Sequence, residues 1–165
     1  MDALAVLPDK PTRDQIERFE ALLLEVEAGG KTVEVAGQLL FPVAPLETWH
    51  HFADGLVART IRIEAGRYLT GAPHKAEHLN ICAGDIEVWT EQGMRRLTGY
   101  HVIPSLPGAK RVGRTFETTY WTTVHLNPGN ERDIEKLEDA MVENADMLQS
   151  RRLMLVRATN LAELT

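Results

Sequence analysis

Two changes of period constrain this chain more than any other feature. Apolar residues recur at helical spacing near the N-terminus, switch to strict alternation through the middle, and return to helical spacing near the C-terminus. In the middle, Leu56 to Ile63 alternates, with Arg59 and Arg62 as its charged members. Ile86, Val88 and Trp89 form the next strand, and Glu91-Gln92-Gly93 is a hairpin turn from which Arg95 to Leu97 returns. His101-Val102-Ile103 is a strand ended by Pro104, and Pro107-Gly108 is a turn. Arg111 to Arg114 and the β-branched, aromatic run Thr118 to His125 complete the series. Short strands separated by Gly and Pro turns, with no helix between them, predict a sandwich or barrel. The expectation is an antiparallel β core over 31–127, within it one jelly roll from Val33 to Leu126. An arm and helix occupy 1–30, and a helical extension occupies 128–165.

The first helix has a legible start. Thr12 is placed as N-cap, with Gln15 three residues on to close a capping box, and Gly29-Gly30 ends the element. Ile16, Phe19, Leu22, Leu23 and Val26 share one face. That stripe must pack either on the chain's own sheet or on a neighbouring subunit. The expectation is burial at least partly between subunits, in a dimer or trimer, since closed homo-oligomers are the common outcome. After Lys31, Val33 and Val35 alternate and Leu39 to Val43 is a short apolar run, which Pro42 and Pro45 restrict to edge strand or extended chain. Asn130 is positioned to cap a second helix reaching Gln149, with Ile134, Leu137, Met141 and Leu148 on its apolar face and acidic residues near its start. Beyond Ser150, Leu153 to Val156 reads as a last strand or a continuation of the helix, flanked by Arg151, Arg152 and Arg157.

Composition narrows the function classes. A chain of 165 residues suits one domain with a real core. A formal net charge of -6 argues against nucleic-acid binding by charge alone. The single cysteine, Cys82, rules out an internal disulfide and a Cys-rich zinc site, and reads as a small buried hydrophobe. No signal peptide or membrane-length apolar run is present, so a soluble protein made in the cytoplasm is expected.

The densest group of candidate ligand or acid–base residues is His74, Glu77 and His78, inside the stretch Gly66 to Gly84. Glu77 and His78 are adjacent and face opposite sides of an extended chain, so parity disfavours using both. The same argument separates His50 from His51. Asp54 with either of these is a weaker acid–base candidate. Lys110, Arg111, Arg114 and Arg95 or Arg96 could form a patch for a phosphate or carboxylate, or a charged outer face that blocks edge pairing.

The stretch Gly66 to Gly84 with its two following hairpins resembles the cupin superfamily, in which a Gly follows a motif Glu by seven positions, as Gly84 follows Glu77. His74-Lys75-Ala76-Glu77-His78-Leu79-Asn80-Ile81, Trp89-Thr90-Glu91-Gln92-Gly93, Pro107-Gly108-Ala109-Lys110-Arg111-Val112-Gly113 and Trp121-Thr122-Thr123-Val124-His125 are similar to cupin-like proteins of tailed bacteriophages. The resemblance covers Trp49 to Leu137 and implies a jelly roll and a phage origin, without a reaction. The usual cupin metal motif is incomplete: Gly71-Ala72-Pro73 stands where His-x-His belongs, and Lys110-Arg111 where the second-motif His belongs. No cofactor is expected on that account, and these histidines are expected to hydrogen-bond backbone and carboxylate at the barrel mouth; the alternative is a replacement set of His74, Glu77 or His78, and His125 that holds a transition metal. Two functions follow. One is a non-enzymatic virion or assembly protein, acting through copies of itself and other particle proteins. The other is a metal-dependent or ligand-binding cupin acting on a small molecule through His74, Glu77 or His78, and His125.

Overall fold

The computed structural model describes residues 7–31, 33–35, 38–40 and 46–148. The readings of Phe41 to Val43, Pro42, Pro45, Gln149 and everything from Ser150 onward lie outside the described residues.

Helix α1 (Arg13–Gly29) starts as its sequence predicts. Thr12 Oγ1 accepts from the Gln15 amide at 3.2 Å, and Gln15 Oε1 accepts from the Thr12 amide at 2.9 Å. Gly30 closes it in the left-handed region at φ 61°. Nine strands follow: β1 (Val33–Val35), β2 (Gln38–Leu40), β3 (Glu47–Ala53), β4 (Leu56–Ile63), β5 (Tyr68–Gly71), β6 (His78–Thr90), β7 (Gly93–Ser105), β8 (Arg111–Thr115) and β9 (Thr119–Leu126). Among the described residues, strands β1 and β2 pair only with each other. The other seven form one curled antiparallel sheet in the order β3-β4-β9-β6-β8-β5, with β7 along the remaining edge of β6. The fold is mainly β and of the antiparallel jelly-roll class, with a helix before and after the sheet. Among the described residues no helix is long and apolar enough to cross a membrane.

Strand β6 organises the sheet. Its first half, Leu79 to Ala83, pairs with β9, and its second half, Ile86 to Trp89, pairs with β8. The change of partner happens at Gly84, where φ is 151° and an added Cβ would stand 2.7 Å from the Thr119 Cα. A side chain there would collide with backbone, so only glycine allows β6 to lie this close to β9.

Several expectations are corrected in detail. The stretch Gly66 to Gly84 holds β5 and the first half of β6, so β6 begins well before Ile86. Strand β7 does not end before Pro104 but runs through it to Ser105. Pro104 is tolerated because β7 pairs only with β6 and lies at an edge among the described strands. Asn130 does not cap the second helix. It adopts φ 50°, accepts from the Gly55 amide at 2.8 Å and donates to Asp54 at 2.9 Å, tying the β3–β4 turn to the end of β9. Asp133 caps instead, accepting from the Glu135 and Lys136 amides, and α2 is short, Ile134–Met141. A turn of 3-10 helix, Ala145–Met147, follows.

The apolar stripe of α1 is covered within one chain. Ile16, Phe19, Leu23 and Val26 are buried against Leu7, Tyr68, Trp89 and Val112, with Leu22 packed at the margin. Phe19 and Tyr68 meet at 5.4 Å between ring centroids. Lys110 bonds Glu20 of α1 at 2.6 Å, the nitrogen side of the pair being almost fully buried. Within one chain the stripe thus packs on its own sheet. The second core cluster joins Cys82, Ile86, Val88 and Leu97.

Gly84→Ala should cost about 2–3 kcal/mol by forced overpacking, lowering the melting temperature by roughly 5–10 °C. Gly71→Ala, with nothing within 4 Å of the new Cβ, should change it little. Equal melting temperatures for the two variants would show that β6 and β9 do not approach as described.

Candidate metal centre

Register places six inward side chains on two neighbouring rungs. Strand β9 lies between β4 and β6, with Val57 opposite His125, Arg59 opposite Thr123, and Thr123 in turn opposite Asn80. One further step puts His78 beside His125. Because alternate residues share a face, His78 and Asn80 of β6, Thr123 and His125 of β9, and Val57 and Arg59 of β4 all turn inward.

His74 comes from outside the sheet, and backbone contacts hold it in place. It bridges to Val142 just after α2, and its carbonyl accepts from the Gly108 amide at 2.9 Å. On either side, Lys75 N bonds Met141 O and Glu143 N bonds Pro73 O, both at 2.8 Å. The end of α2 thus carries His74 over the mouth of the β6–β9 pair.

The three imidazoles converge. Their ligand nitrogens lie within 4.8 Å of one another. The rings stack at 4.2, 4.8 and 4.9 Å between centroids, and all three tilt by less than 30°. His74 Nδ1 and His125 Nε2 are 2.8 Å apart, so one proton lies between two nitrogens. His78 Nδ1 donates to the Ala76 carbonyl at 2.9 Å, which leaves the lone pair on Nε2. Asn80 sits beside it, fully buried, its Nδ2 3.4 Å from His78 Nε2. Asn80 Oδ1 accepts from Trp121 Nε1 at 3.1 Å and Thr123 Oγ1 at 3.2 Å, which fixes the amide.

Burial sets the charge state. It pushes His74 down to about 3, helped by the neighbouring His78, His125, Arg111 and Arg59. His125 is pushed down to about 4 by burial and then by His78. His78 is lowered by burial and Arg111, against the bond to Ala76. All three are neutral at neutral pH, the form that ligates a metal.

The donor set fits a transition ion. It consists of neutral imidazoles, and the hydrogen bond from His78 to a backbone carbonyl is the outer support that metal-bound histidines use. An ion held by His74 and His125 would replace the proton they share, and their nitrogens, now 2.8 Å apart, would have to separate to admit it.

A cavity of about 190 Å³ opens beside the cluster. Ile61, Ile63, Leu69, Ile86 and Val88 give it apolar walls, and His74, Asn80, His125, Arg59 and Arg111 line it as well. Arg111 donates to Ser105 Oγ. Burial lowers both guanidiniums, with Glu138 opposing the effect at Arg59.

The remaining candidates scatter. Glu77 is exposed, one residue ahead of β6 and outside the histidine group. His50 lines the cavity while His51 is exposed on the other face of β3. Asp54 is bonded to Asn130. The basic residues form no common patch: Lys110 is paired with Glu20, and Arg96 binds Asp85 through two bonds. Arg96 and Arg114 both lie over Phe116, and Arg95 is exposed. Cys82 is buried and pushed up to about 11, an inert thiol. Asn80 and Arg59 are site residues that motif reading passed over. Strand parity could have found both, since Arg59 shares its register with Val57, Ile61 and Ile63.

No protein-family model matches this chain, and no curated protein does. Among solved structures, it is similar to KdgF from Halomonas sp., at 15% identity over 56% of this chain and 88% of that one, with a TM-score of 0.45. It is similar also to a cupin 2 conserved barrel domain protein from Leptotrichia buccalis, at 7% identity over 55% and 46% of the two chains, TM-score 0.44. A cupin-2 domain containing protein from Shewanella frigidimarina aligns at 7% identity over 49% and 80%, TM-score 0.41.

Neutral burial fixes a pH dependence. Above pH 6.5 the histidines are neutral in the folded and the unfolded chain and contribute no difference. Below it the unfolded chain takes up protons that the folded cluster refuses until about pH 3–4. Stability is therefore lost as the pH falls from 6.5, with a slope of about 1.4 kcal/mol per pH unit for each such histidine. Denaturant titrations of metal-free protein at pH 7.5 and pH 5 should show His74→Gln losing about 2 kcal/mol less than the parent. Identical losses in the two proteins would mean that His74 is not buried neutral.

Proposed function

We propose that this chain is a cupin-type jelly-roll protein that binds a small molecule in its cavity beside a divalent transition metal held by His74, His78 and His125. The observation that carries this reading is the convergence of three neutral imidazoles from separate segments, two of which, His74 and His125, line one cavity. An ion so held would act as a Lewis acid toward an oxygen of the bound molecule. The chain's own residues do the rest: the Ala76 carbonyl orients His78 through its Nδ1, α2 positions His74, and aliphatic side chains line the cavity.

A second reading, a non-enzymatic assembly role in a phage particle, draws on the outer face. Trp49, Tyr100, Val102, Tyr120 and Leu126 are large apolar side chains left exposed there. That reading uses none of the site's features, so it ranks second.

Chelator-stripped protein should take up one equivalent of Zn²⁺ or Co²⁺ per chain. At 100 times the dissociation constant the ion should add about 2.7 kcal/mol of stability. His78→Ala and His125→Ala should each abolish that gain, whereas Glu77→Ala should keep it. Parent protein that gains no stability from either ion would sink the metal reading and leave the assembly role.

A further inference from the structure

We infer that the molecule bound in the cavity is a small monocarboxylate with an apolar body, its carboxylate seated on Arg59 beside the three histidines. The inference deepens the metal reading and rests on it for the choice of site.

Arg59 is the one charged side chain in the inward register of β4, among Val57, Ile61 and Ile63, and all four line the cavity. Its Nε is buried and has no hydrogen-bond partner among the described residues. A guanidinium presents its donors as a planar fork that fits a carboxylate with two parallel bonds. An orphaned buried donor on such a fork calls for a partner that arrives from outside.

The charge balance points the same way. Arg111, the second guanidinium on the wall, is bonded to a neutral hydroxyl, Ser105 Oγ. Of the acids that line the cavity, Glu20 is engaged by Lys110 and Thr70, and Glu138 acts on Arg59 through space. Glu27 is also on the wall. The histidines are neutral ligands and Glu77 is not among them, so an ion on them would add two positive charges that no ligating carboxylate offsets. With Arg59 and Arg111 the loaded cavity is in positive excess, and an anion relieves it. The walls decide which anion: aliphatic side chains favour an apolar body over a polyanion or a sugar. A cavity of about 150 Å³ with apolar walls takes benzene, so a benzoate-sized acid suits this one.

Metal and carboxylate must then help each other bind. By linkage, the factor by which the acid tightens the ion equals the factor by which the ion tightens the acid.

The test uses benzoate as probe and benzamide as its neutral counterpart, measured by calorimetry on metal-free and Zn²⁺-saturated protein. Benzoate should bind the parent at least tenfold more tightly than benzamide. Arg59→Gln should weaken benzoate at least tenfold without weakening Zn²⁺ binding in the absence of benzoate. Benzoate and Zn²⁺ should tighten each other by one common factor, and Arg59→Lys should restore part of it. Three outcomes overturn the inference: no benzoate binding at millimolar concentration, equal binding of benzoate and benzamide, or unchanged benzoate affinity in Arg59→Gln. If Arg59→Gln does not fold, the comparison of benzoate with benzamide on the parent decides. If Zn²⁺ fails to bind while benzoate binds the metal-free parent through Arg59, the metal reading falls and the carboxylate site stands.

Discussion

The site depends on the register of β9 between β4 and β6. Shifting either pairing by one residue would turn His125 and Thr123 outward, because side chains alternate faces along a strand. With Val57, His125 and His78 on one rung and Arg59, Thr123 and Asn80 on the next, the inner face of the sheet carries polar chemistry where a plain jelly roll would carry core. Two devices protect that register. Gly84 lets β6 press against Thr119 where it leaves β9 for β8. Trp121 and Thr123 both donate to the Asn80 side chain, cross-linking the pair from inside.

Placing that many polar groups inside costs stability, and the fold supports it from its two ends. Helix α1 closes the β5–β8 side of the sheet through an apolar cluster and the Glu20–Lys110 pair. Losing one partner of such a desolvated pair would strand the other, which is costly whatever the intact pair contributes. Helix α2 closes the other side and delivers His74. The histidines avoid the cost of buried charge by staying neutral. Arg59 and Arg111 cannot, since a guanidinium keeps its proton.

Much of the fold was legible in the residues. The change from period 3.6 to period 2 and back marks the β core and its helices, and Thr12 with Gln15 marks where α1 begins. Positions where a tertiary contact competes with a local signal were not. Asn130 looks like a cap, yet its side chain is taken by Gly55 and Asp54 from another turn. Pro104 looks like a strand end, yet an edge strand tolerates it. The stripe from Ile16 to Val26 demands burial but does not say by what. In the site, parity already separated Glu77 from His78, and the same rule applied to β4 would have put Arg59 inward with Val57 and Ile61. The nearness of His74 to His125 was not open to such reasoning, because it is set by backbone bonds from α2 to residues outside any strand.

The central claim is that His74, His78 and His125 bind one ion together. X-ray absorption at the zinc edge of Zn²⁺-loaded protein measures this most directly. Three imidazole nitrogens should appear at roughly 2.0–2.1 Å, with two remaining in His74→Ala. A shell made of oxygen atoms alone, or one unchanged in His74→Ala, would contradict the claim.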